Sequence, residues 1–129
     1  MKRVYFQIIR EHLKNDRQMV FLSGPRQSGK TTIALMAQEL TGRFVYLNWD
    51  NLNDRQRILA GPQSLADSIG VHELSEHPLI VVFDEIHKFS DWKNYLKGFF
   101  DSYSRDVRII VTGSSKLNVY KRGGDSLMG

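Results

Sequence analysis

The sequence contains no cysteine, which excludes disulfides and thiolate metal sites and suits a cytoplasmic protein. No apolar stretch approaches the roughly 18 to 20 residues that cross a bilayer. Met1-Lys2-Arg3 leads into no signal-type apolar core, so no membrane association is expected. Internal repeats, low-complexity tracts and obvious linkers are also missing. Charge is present but not concentrated: the net value is +4, and Lys2, Arg3, Arg10, Lys14, Arg17, Arg55, Arg57, Lys116, Lys121 and Arg122 are scattered among acids. That dispersion favours an ordinary solvated surface over a dedicated nucleic-acid patch, leaving nucleic acid a secondary candidate as partner. With 41% hydrophobic and 25% charged residues, the 129-residue chain has the profile of one globular domain, residues 1–129, with room for a real core.

Against these absences stands one complete pattern. Gly24-Pro25-Arg26-Gln27-Ser28-Gly29-Lys30-Thr31 matches G-x-x-x-x-G-K-[ST], the phosphate-binding loop. Glycines at both ends let such a loop curl so that successive N–H groups point inward at phosphate oxygens. Gly29 opens a helix whose positive end attracts anions. Lys30 can reach the β- and γ-phosphates, and the Thr31 hydroxyl can enter a Mg²⁺ shell. Four fixed positions should match by accident in about one chain of this length in a few hundred, so context must support the pattern. It does: Met19-Val20-Phe21-Leu22-Ser23 is a strand-type apolar run, and Ile33, Ala37 and Leu40 share a helical face that Gly42 can end.

A second constellation follows. Leu79-Ile80-Val81-Val82-Phe83 is fully apolar, as a buried parallel strand requires, and it delivers Asp84-Glu85. This is the layout of a Walker B segment. Asp84 can hold Mg²⁺ through water, and Glu85 can take the proton of an attacking water. Thr112 or Ser114, at the end of a further strand over Val107 to Val111, can orient that water; hydroxyl capping of a plain turn is the equal alternative. Asp84-Glu85-Ile86-His87 echoes the DExH box of helicases, but a helicase needs a second motor lobe, and packing of His87 beside the strand end is the favoured reading.

Between these motifs, Tyr5, Ile8, Ile9 and Leu13 have the spacing of an amphipathic helix, and Phe44 to Asn48 reads as a second strand. Residues 51 to 77 suggest one or two short helices around Pro62 to Ile69. Trp92, Tyr95, Leu96, Phe99, Phe100 and Tyr103 form a helical stripe, most simply core packing, with Ser90 or Asp91 able to cap its start. Strands alternating with helices predict an α/β parallel sheet covered on both faces, with the site at the carboxyl ends of the strands.

Gly24 to Thr32, Tyr46-Leu47-Asn48, Asp84 to Lys88, Trp92, Leu96-Lys97, Asp101 and Thr112-Gly113-Ser114-Ser115 together resemble the prokaryotic AAA-superfamily ATPases. The closest resemblance is to the group with a C-terminal, often nuclease-like domain. It implies a P-loop NTPase fold of about four strands in the order 1-4-3-2, with ATP and Mg²⁺ as ligands. It implies nucleotide contacts from Gly24, Pro25, Arg26, Gln27, Ser28, Gly29, Lys30, Thr31 and Thr32, metal contacts from Thr31 and Asp84, Glu85 as catalytic base, and Thr112 or Ser114 at the sensor position. Such proteins are usually much longer, and their Ser-Leu-x-Gly segment runs on into an arginine, whereas Ser126-Leu127-Met128-Gly129 stops short of it. The fifth strand, helical lid and C-terminal domain are therefore expected to be missing, which makes the sheet incomplete at the C-terminus and the chain an N-terminal fragment or truncated product. An open edge at residues 19 to 23 would then invite self-association.

Two functions compete: an ATPase that cleaves the β–γ bond, and a nucleotide-dependent switch or nucleic-acid-associated module with little hydrolysis. A small-molecule kinase is disfavoured because Glu85 follows Asp84 and no acceptor-binding lid is evident. ATP rests on the resemblance, since there is no guanine-reading Asn-Lys-x-Asp segment. Tyr5 or Phe6 could flank the base, although core packing is the favoured reading.

Overall fold

The computed structural model describes residues 19–23, 34, 35, 38, 42–73, 79–113 and 126–128. The amphipathic helix expected at residues 3–14, the phosphate loop with Thr32, and Ser114 and Ser115 lie outside the described residues. Strands β1 (Val20–Ser23), β2 (Phe44–Asn48), β3 (Leu79–Asp84), β4 (Val107–Gly113) and β5 (Ser126–Met128) form one sheet in the order β2-β3-β4-β1-β5. Every pairing is parallel.

The order of the first four strands is 1-4-3-2, as expected. The fifth strand corrects the reading above: Ser126–Met128, taken as the cut end of a motif, pairs with β1 through Val20 opposite Ser126 and Leu22 opposite Met128. Self-association through an open β1 edge therefore loses its footing. Three residues carry too little periodicity to reveal a strand. The demand for one was nonetheless present in β1, whose Val20, Phe21 and Leu22 are buried. Such all-apolar strands belong in the interior of a parallel sheet, paired on both sides.

Alternation along the strands sorts the core into two layers. Phe21, Leu47, Leu79, Val81, Phe83, Val107, Ile109 and Val111 share one buried cluster. Helices α1 (Leu52–Leu59), α2 (Pro62–Ile69) and α3 (Trp92–Tyr103) supply Ile58, Leu65, Ala66, Trp92, Tyr95, Leu96 and Phe99 to the same cluster. On the opposite face, Val20, Leu22, Ile80, Val82 and Ile110 pack with Ala34 and with Phe44 and Tyr46. Because β3 is buried along its whole length, it has no polar face and reads as a continuous apolar run.

Local chemistry sets the helix ends. Asn51 caps α1 by accepting from the Asp54 N–H at 3.0 Å. Proline at the first position of α2 gives up an N–H that would have no partner there, and Gly70 closes the helix at φ 78°, in the left-handed region. A Cβ at Gly70 would also lie 3.0 Å from the Glu73 side chain. In α3, Asp91 holds the cap position without making a side-chain cap bond; its Oδ1 accepts from the Asn94 amide at 2.9 Å instead. The aromatic stripe of α3 is core, as expected: Phe99 meets Phe83 edge-on at 5.6 Å and lies tilted against Tyr103 at 5.1 Å. Edge-on pairs of this kind add about 0.5–1.5 kcal/mol to the area they bury.

Candidate nucleotide site at the carboxyl ends of the strands

Register brings the polar strand ends together. Asp84 of β3 stands opposite Asn48 of β2 and Thr112 of β4, while Ser23, the last residue of β1, stands opposite Gly113. Residue 24, the first of the phosphate-loop sequence, thus continues from a strand end two places along the sheet from Asp84. Asp84 also lies on the face that carries Ala34, itself just beyond the loop sequence.

Asp84 is only 4% exposed. A buried carboxylate needs donors, and two hydroxyls provide them. Thr112 Oγ1 donates to Oδ1 at 2.5 Å, and the Tyr46 hydroxyl donates to Oδ2. Backbone bonds fix the surroundings: the Trp49 N–H donates to the Asp84 carbonyl, and the Glu85 N–H donates to the Thr112 carbonyl, both at 2.9 Å. Burial, followed by the bond to Asp84 and its negative charge, pushes the Tyr46 phenol well above its ordinary pKa. Tyr46 therefore remains a proton donor to the acid.

Glu85 occupies a different environment. Its backbone is left-handed at φ 61°, the sole non-glycine residue with positive φ among the described residues. The strand thereby ends abruptly and passes into a 3₁₀ turn, Ile86–Lys88. Its side chain, 16% exposed, lies 3.4 Å from His87 Nε2 and 3.8 Å from Lys88 Nζ, both measured at Oε2. His87 itself is 7% exposed.

The site thus unites Asp84, Glu85 and Thr112 of the expected residues, whereas Lys30, Thr31, Ser114 and the remaining loop positions lie outside the described residues. Sequence reasoning assigned no role to Tyr46. The signal was its place two residues before Asn48 on β2, which puts it on the same sheet face as the strand ends.

The donor set fits Mg²⁺. Each Asp84 oxygen accepts a hydroxyl bond, and a carboxylate oxygen can accept more than one contact. Magnesium characteristically takes one or two carboxylates together with waters and substrate phosphates. The described residues contain no cluster of three or more His, Cys, Asp or Glu, and such a site does not need one.

No helix among the described residues is long and apolar enough to cross a membrane. No curated protein matches the sequence. Solved structures share the fold, among them the following three. PCH-2 from C. elegans superposes with a TM-score of 0.62 at 18% identity, over 99% of this chain and 41% of that one. A replication initiator, DnaA bound to AMPPCP and single-stranded DNA, gives 0.60 at 15% identity, over 98% and 46%. A DNA replication initiation factor gives 0.55 at 16% identity, over 88% and 38%. The chain spans less than half the length of each. The family described as "AAA domain" matches residues 16–129, beginning after the Tyr5-Phe6 pair, and this chain belongs to that family.

Proposed function

We propose that the chain binds Mg-ATP at the carboxyl ends of its strands and hydrolyses the β–γ phosphoanhydride bond. One observation carries the reading: a buried carboxylate, Asp84, ends a fully buried strand that only β4 separates from the strand leading into the phosphate-loop sequence. The likeness to a DnaA bound to AMPPCP, an ATP analogue, supports an adenine nucleotide as ligand.

In this reading the loop from Gly24 to Thr32 wraps the phosphates with its N–H groups, and Lys30 places its charge against the β- and γ-oxygens. Thr31 and Asp84 hold Mg²⁺, which supplies positive charge against the phosphate oxygens. Tyr46 and Thr112 keep Asp84 aimed by donating to its two oxygens. Glu85 accepts the proton of the water that attacks the γ-phosphorus, while the bridging oxygen departs with the electrons of the broken bond on ADP. Ser114 is the second candidate for orienting that water. By resemblance, the chain serves as the nucleotide-binding core of a cytoplasmic prokaryotic protein.

Binding of ATP measured with Mg²⁺ and with chelator, alongside phosphate release with and without an added acceptor, tests the proposal. Lys30→Ala should greatly weaken triphosphate binding while leaving the fold intact. Undiminished affinity in that folded variant would remove the loop as the site. Release that requires an acceptor would make the protein a kinase, and tight binding without release would make it a switch.

A further inference from the structure

The turn after the acid strand carries a charge arrangement that nucleotide binding does not require. The Lys88 N–H donates to the Glu85 carbonyl at 3.2 Å, which brings Lys88 back toward Glu85 across the turn. Its Nζ sits 2.9 Å from both oxygens of Asp50 and 3.8 Å from Glu85 Oε2. Asp50 is two residues beyond β2 and is held in place by its own N–H, which donates to Asn48 Oδ1 at 2.9 Å. Next to these two residues, Trp49 and Phe89 stack at 4.8 Å with their planes 8° apart, joining the same two segments a second time. Arg55 covers Trp49 at 5.1 Å and donates to its carbonyl. Asp50 is thus tied to an edge strand of the sheet, and Lys88 bridges from it to the Glu85 carboxylate, which His87 Nε2 also meets at 3.4 Å.

We propose that Lys88, anchored by Asp50, is a positioning residue that fixes the direction of the Glu85 carboxylate for hydrolysis. The inference rests on Glu85 acting as the base, as read above. Asp50 and Lys88 are about 40% exposed, and exposed pairs contribute little to stability. A direct interaction with the base has different leverage, because displacing a catalytic group by about 1 Å can cost on the order of 100-fold in rate.

The test uses the full chain and compares kcat for phosphate release, Kd for Mg-ATP and the thermal midpoint. Lys88→Met should lower kcat by about 10- to 100-fold while Kd and the thermal midpoint barely move. Asp50→Asn frees the anchor and should give a smaller loss of the same kind. The double variant Asp50→Lys/Lys88→Asp restores the ion pair but turns a carboxylate toward Glu85. It should therefore recover the thermal midpoint without recovering kcat. Recovery of kcat by the exchanged pair would reduce Asp50–Lys88 to a structural tie and overturn the proposal, as would an unchanged or raised kcat in Lys88→Met. A wild type that releases no phosphate would sink the ATPase reading together with this one; a wild type that turns over, with Lys88→Met equally fast, sinks this one alone.

Discussion

Asp84 and Glu85 are consecutive carboxylates at the end of one strand, yet the fold treats them as opposites. Asp84 is enclosed and receives two hydroxyl donors from the neighbouring strands β2 and β4. Glu85 turns out of the sheet and meets two nitrogen bases, His87 and Lys88, of the following turn. Hydroxyl donors fix a carboxylate in place without consuming its charge, which suits an acid that must attract a cation. A partly exposed carboxylate whose neighbours are nitrogen groups of a turn rather than hydroxyls of the sheet stays open to water, which suits a proton acceptor. Under the proposed function, environment divides the labour between two chemically similar groups, as it does wherever paired carboxylates take separate roles.

The sharpest way to break this comparison is Glu85→Gln. It keeps size and hydrogen bonding but removes the base, and should cost roughly 10²- to 10⁴-fold in kcat with nucleotide affinity unchanged. Single-turnover hydrolysis and binding measured together decide it; equal rates would remove Glu85 from the mechanism. The reverse pattern is expected for Asp84→Asn, where Mg²⁺-dependent affinity should fall by at least 10- to 100-fold, read as the ratio of Kd with and without the metal. If affinity holds and only rate falls, the two acids have been assigned the wrong way round.

Tyr46→Phe sharpens the Asp84 side by deleting one donor to a buried charge. A loss of about 1.5–3 kcal/mol in chemical denaturation is expected, with weaker Mg²⁺-dependent binding. The variant should also differ in alkali. The native phenol holds its proton to higher pH than the unfolded one, which ionises near pH 10. Tyr46 therefore contributes stability that is complete below pH 10 and declines as pH rises above it. The wild type should lose stability more steeply than the variant from pH 10 upward. The smallest effect belongs to the exposed side: Asp50→Asn should change unfolding stability by no more than about 1 kcal/mol. A larger value would mean that the ion pair ties the structure together rather than aiming a side chain.

Strands β1 to β4 were legible because each is an apolar run closed by a polar end, and the two nucleotide motifs fixed which ends must meet. Tyr46 could not be read as a partner of Asp84, 38 residues away, because nothing local in β2 records the register of Asn48 against Asp84. The Lys88–Asp50 contact joins segments equally far apart and escaped for the same reason. Strand β5 escaped because it is only three residues long. Of the two cap candidates for α3, Ser90 and Asp91, the helix takes Asp91, but Asn94 competes for its carboxylate, and a side-chain competitor of this kind is invisible to a positional rule.

The left-handed backbone at Glu85 sets the demands of stability against those of chemistry at a single position. Residues with a branched or bulky side chain resist that conformation, and even an unbranched one is held there at a cost of about 1 kcal/mol or more. Glycine adopts it freely, and asparagine more readily than most. A laboratory selection for heat resistance alone should therefore drift at position 85 toward glycine or asparagine, yielding proteins that melt higher and no longer turn over. Selection for turnover should return glutamate, and the gap in melting temperature between the two populations would measure how much local frustration the fold tolerates at its base.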